Sequence, residues 1–166
     1  MKSGLTIRED NYSVVLDALK QLSGTDVLVG IPAGPPRDDA PLSNAELGYL
    51  QSTGATVEID GETVTLPPRP FLDMGIEDSR DKTTERLKLA AQSALEGNSG
   101  VAEQHLEAAG QIARDAAKAV IGDGDRLEPL SEKTLKRRRA AGLRGIKPLY
   151  AHGFLLRAIQ YVVRKK

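Results

Sequence analysis

Cysteine is absent from the 166 residues. That removes disulfides, thiolate metal ligands and a thiol nucleophile together, and fits synthesis in a reducing compartment. Long apolar runs are absent as well: nothing approaches the roughly 20 residues of a membrane span, and the opening MKSGLTIRED lacks the apolar heart of a signal peptide. The expectation is a soluble chain that no signal peptide exports and that has no membrane partner. Histidine is scarce, with only His105 and His152 present. Neither has a His, Cys or carboxylate neighbour at a recognised metal-ligand spacing. His105, four residues after Val101 on an expected helix, reads as a partly buried neutral imidazole.

Catalytic signatures are missing too. No glycine-rich turn between strand and helix carries the lysine of a phosphate loop, and no serine sits in a nucleophile elbow. Asp123 and Asp125 in GDGD stand two apart, as in calcium loops, but the downstream bidentate Glu and the other oxygen ligands are lacking, so the segment reads as a turn. Without a group of residues able to share proton transfer and charge stabilisation in one site, no enzyme and no cofactor is expected.

What is present is a division of charge hidden under a net charge of zero. Residues 1–130 hold 12 Lys+Arg against 22 Asp+Glu, about −10, and residues 131–166 hold 11 against 1, about +10. Such asymmetry implies an electrostatic docking surface for an acidic protein face or for nucleic acid. The basic run LKRRRAAGLRGIK contributes Lys136, Arg137, Arg138, Arg139, Arg144 and Lys147. It has no interleaved aromatics for base stacking, so protein docking is favoured over DNA.

Along the chain, Asn11 precedes a helix with Val15, Ala18, Leu19 and Leu22 at helical spacing, closed by Gly24. TDVLVGI (25–31) alternates as a strand and runs into PAGPPRDDAPL (32–42), whose four prolines predict an exposed loop. Arg37, Asp38 and Asp39 in this loop are candidate contacts to a neighbour. Ser43 and Glu46 form a capping box for a short helix through NAELGYLQST. ATVEIDGETVTL predicts a hairpin turning at Asp60-Gly61. Leu87, Ala90, Ala91, Ala94 and Leu95 mark one helix, Val101 to Val120 a second, joined by GNSG. Ser131 caps a further helix, HGFLLRAI makes a helical turn, and QYVVRKK a closing strand. The fold class is α+β: a small antiparallel sheet including a β-hairpin, packed against several helices in a single domain spanning 1–166. The acidic body covers 1–130, and the basic segment 131–166 is integral to the fold.

LPPRPFL (66–72) holds three prolines around Arg69, followed by one of only two phenylalanines. Fixed φ angles keep such a segment extended, and a plain linker would not need Phe71. Between a hairpin and a long helix it reads as an internal strut rather than a ligand for a proline-binding groove. Pro67, Pro68 and Pro70 set its direction and Phe71 anchors the next helix. Arg69 is left to bind a carboxylate in its own or the next subunit, so that its loss would damage assembly.

Three blocks carry a resemblance: NAELGYLQSTG (44–54), LPPRPFL (66–72) and LEPLSEKTLKRRR…KPLYAHGFLLRAIQYVV (127–163). In order and spacing they resemble the tail-completion, or neck, proteins of long-tailed bacteriophages. Pro68, Arg69, Pro70 and Phe71 fall on the x-Arg-Pro-Phe of the family's Pro-x-Arg-Pro-Phe connector, and Lys147, Pro148, Leu149, Gly153, Leu155 and Ile159 match its ending. His152 stands where threonine is usual, and Tyr150-Ala151 replaces Ile-Asp. The resemblance implies a structural virion protein, made in the bacterial host cytoplasm, that joins the DNA-filled head to the tail as a homo-oligomeric ring of six copies. Its neighbours would be the head-tail connector and the tail terminator or tail tube proteins, with DNA only as channel contents. It brings no catalytic residue. A tail terminator or other minor tail protein is the alternative within this class, and a basic-tailed DNA-binding accessory protein the alternative outside it.

Overall fold

A computed structural model describes residues 11–38, 41–59 and 61–166. Asp39 and the Asp60 half of the expected turn lie outside the described residues, as does the opening MKSGLTIRED. The order is α1 (Tyr12–Ser23), β1 (Thr25–Gly30), α2 (Asn44–Thr53), β2 (Ala55–Ile59), β3 (Glu62–Leu66), α3 (Phe71–Leu95), α4 (Ser99–Asp123), α5 (Glu132–Ala140), α6 (Phe154–Ala158) and β4 (Gln160–Lys165). This is an α+β fold. Its antiparallel strands fall into two separate two-stranded ladders: β2 with β3 as the expected hairpin, and β1 with β4 from opposite ends of the chain. Among the described residues no helix is long and apolar enough to cross a membrane.

Local chemistry explains most boundaries. The Ser43 hydroxyl accepts from the Glu46 amide, and the Glu46 carboxylate accepts from the Ser43 amide at 2.8 Å. That second bond, with the Ser43 hydroxyl, holds the Glu46 carboxyl below its usual range. Ser131 accepts from the Thr134 amide at the start of α5. Gly153, at φ 72, supplies the left-handed residue from which α6 begins.

The backbone of the fold is the antiparallel pair α3 and α4, 25 residues each. The sequence placed the start of α3 after the strut. Instead the helix begins at Phe71 itself, with Pro70 as its cap residue. The stretch LDMGIEDS shows little apolar period because its core side is made by small residues. A Cβ on Gly75 would lie 2.4 Å from both the amide nitrogen and the Cα of Ala117, so here the two helices touch backbone to backbone. Gly75→Ala is therefore expected to lose about 1–3 kcal/mol by overpacking, against the about 1 kcal/mol that alanine gains over glycine in a helix. Gly100→Ala, with open space around its Cβ, serves as the control and should gain slightly. Urea denaturation of both decides it: a Gly75 variant as stable as the control variant would contradict the close crossing.

The main core gathers Phe71, Ala117, Val120, Ile121, Leu127, Leu155 and Ile159, with Ile31 and Leu149 packed against it. Phe71, Ile121 and Ile159 are its largest fully buried side chains. The β1–β4 ladder lies on α4, where Gly110 makes room for the Tyr161 ring and for Val27. At the far end of the helical pair, Ala18, Ala94 and Ala102 join α1 to the α3–α4 turn.

Candidate functional site

The expected interface residues divide once the fold is known. Arg69 does not face a neighbour. It is 4 % exposed, and its fork is spent on its own chain: Nε donates to the Glu128 carbonyl at 2.6 Å, Nη2 to the Pro129 carbonyl at 2.9 Å and Nη1 to Gln51 Oε1 at 3.3 Å. Its amide donates to the Gln51 carbonyl at 2.8 Å. Three separate parts of the chain, the end of α2, the strut and the segment before α5, are thus clasped by one side chain. Burial lowers the Arg69 pKa, but an arginine starts so far above neutrality that it stays charged. The reading of Arg69 as an assembly residue is corrected on this geometry: its donors have internal carbonyls to meet, and a carboxylate from outside has no access to them.

Arg138 is turned inward in the same way. Its Nη1 faces the carbonyls of Gly145, Lys147 and Tyr150 at 3.1, 2.9 and 3.3 Å, and burial lowers its pKa. It holds closed the loop in which Leu149 adopts φ 60, a left-handed conformation uncommon outside glycine, while its side chain packs on the core. Lys147 Nζ donates to the Gly122 carbonyl near the end of α4. The block 147–153 thus docks the basic segment onto the body. Pro148 and Gly153 are buried in it, and Leu155 and Ile159 follow as core residues. Of the strut prolines, Pro68 is exposed and Pro70 half-buried.

What stays at the surface is narrower. Lys136, Arg137, Arg139 and Arg144 are exposed on and after α5. Lys133, one turn earlier, pairs with Glu62 of the hairpin and holds that carboxyl below its usual range. In the proline-rich loop Asp38 is exposed, whereas the Arg37 guanidinium stacks 4.8 Å above the Phe154 ring. The His152 ring is tilted against Phe154, with 5.6 Å between centroids. These residues, with Ile31, Pro32 and Asn44, line an open cavity of about 760 Å³.

A four-residue period of acids is written in the sequence of α3. Asp73, Glu77, Asp81 and Glu85 recur every four residues and form one exposed acidic ridge along α3. Like charges at this spacing weaken a helix by a few tenths of a kcal/mol per pair, about 0.2–0.5. Glu77 is relieved by Arg80 at 2.6 Å, and Asp78 beside the ridge by Arg126.

No group of three or more His, Asp or Glu among the described residues is placed to hold a metal ion. The surface chemistry is that of opposed charges on separate elements, an acidic ridge on one line of α3, whose acids and bases otherwise nearly balance, and a basic α5. In comparisons with family models, with curated proteins and with solved structures, the chain matches none.

Proposed function

We propose that the chain is a structural subunit of the head-tail junction of a long-tailed bacteriophage, assembling as a ring of six copies that joins the tail to the DNA-filled capsid. The observation that carries this reading is the pairing of an acidic ridge, Asp73, Glu77, Asp81 and Glu85, with an exposed basic set, Lys136, Arg139 and Arg144, on different elements of one chain. Two unlike surfaces that attract each other make a head-to-tail contact between copies, and such contacts form a ring when the rotation from copy to copy closes. The three blocks that resemble tail-completion proteins support the virion assignment.

Removing residues 131–166 is not a clean test, because Leu155, Ile159 and β4 belong to the core and its ladder. Charge reversal leaves them in place. The double change Lys136→Glu and Arg139→Glu is expected to convert rings to monomers at about 0.1 M salt while the unfolding midpoint moves little, and high salt should do the same to the unaltered protein. Mass in solution reads both. Rings unaffected by the reversal would remove the basis for this contact. Duplex DNA binding by the monomer, falling steeply with salt and lost in the same variant, would favour the DNA-binding alternative.

A further inference from the structure

Each of the two ladders is a pair of strands, and among the described residues neither has a third. A two-stranded hairpin alone is marginal in water, and an unpaired edge invites another strand. The two ladders differ in charge. Residues 55–66 contain three acids and no base, whereas β4 and the residue after it read Gln-Tyr-Val-Val-Arg-Lys-Lys, with no acid.

The open edge of β4 is shaped to receive a strand. The Lys166 amide donates to the Gly24 carbonyl at 2.6 Å. With the register Asp26 to Arg164 and Leu28 to Val162, the alternation of an antiparallel ladder turns the backbone groups of Tyr161 and Val163 away from β1. Beside that edge lies a groove of about 490 Å³ lined by Lys118 and Arg157, by Glu107, and by Arg114, which is paired with Asp115 at 2.7 Å. Glu107 raises the pKa of the Tyr161 hydroxyl beside it. Asp26 of β1 is held within the ladder by Lys166 and Arg164, which lower its pKa. On the hairpin, Glu62 of β3 is engaged by Lys133, and β2 presents exposed Thr56 and Glu58.

We propose that β2 of one copy adds to the open edge of β4 in the next, joining the two ladders into one four-stranded sheet that runs between subunits. This deepens the ring reading and rests on it. Backbone hydrogen bonds supply the adhesion of such a strand addition. The acidic hairpin is attracted to the groove beside β4, where Lys118 and Arg157 lie, and this sets the head-to-tail direction.

Three measurements test it. In the unaltered oligomer, hydrogen exchange at the Tyr161 and Val163 amides should be slowed about tenfold or more relative to dilute monomer, since a new strand covers them. Glu58→Lys and Lys165→Glu, both at exposed positions, should each weaken association by about tenfold through like-charge contact, and the two changes together in one chain should restore most of it. Unchanged exchange at Tyr161 and Val163, or single variants that assemble normally, would overturn the strand addition while a ring sensitive to Lys136 and Arg139 left the ring reading standing. A protein that is monomeric under every condition would defeat both.

Discussion

Phe71→Ala is expected to cost about 3–5 kcal/mol, the range for removing a phenylalanine from a packed core. The ring is fully buried and meets residues from α4, from the segment after it and from the last helix, among them Ile121, Leu127 and Leu155. It also stands at the first position of α3, so the hole would open where the strut turns into the longest helical pair. A domain of this size is stable by only about 5–15 kcal/mol in total. The variant should therefore be close to unfolding at physiological temperature. Phe71→Leu, which keeps most of the volume, should lose much less. Urea denaturation of both variants gives the comparison, and a loss below about 1 kcal/mol for the alanine variant would show that the cluster does not depend on this ring.

Arg69→Ala comes next, with an expected loss of about 3 kcal/mol. Hydrogen bonds from a charged group are worth about 1.5–3 kcal/mol, and buried acceptors left without donors add their own desolvation cost. Two carbonyls, Glu128 and Pro129, would lose short bonds at once. Arg69→Lys should recover only part of the loss, because an ammonium on a single stem cannot reach both carbonyls in the plane of a fork. The informative comparison sets stability against assembly. The variant protein should unfold at lower urea while the folded fraction still associates, and a variant of normal stability that failed to assemble would return Arg69 to the interface.

The elements written in local code were legible before the structure was known. The Ser43 and Glu46 box, the Ser131 cap, the alternation in β1 to β4 and the alanine-rich faces of the helical pair all depend on residues within a turn or two of one another. Phe71 is legible as an anchor because a large apolar side chain among prolines has few other uses, whereas Leu155 and Ile159 were expected only from the resemblance of the closing block. Three features escaped. The partners of Arg69 lie 59 and 60 residues away and are backbone carbonyls, which leave no mark in a sequence. Arg138 looked like its neighbours in LKRRRAAG, and only the closure of the loop at Leu149 separates it from Arg137 and Arg139. Gly75 made the first turns of α3 look unhelical, since glycine is a poor helix former, while its use is the space it leaves for Ala117. The candidate site was legible as a sum of charges and not as a surface. The sequence counted basic residues in 131–166, and folding decided which were spent internally.

The pairing of β1 with β4 also sets an order of events in the making of the molecule. Thr25 to Gly30 are synthesised before the helical pair, and their partners Gln160 to Lys165 only after it. The helical pair, whose contacts are closer in sequence, can close first, because local contacts form faster than those that span a chain. Until then β1 waits without a strand beside it, the state in which growing chains are most prone to aggregate. A chain that stopped before Gln160 would leave β1 without its partner strand, an unpaired edge of the kind that invites pairing with another chain.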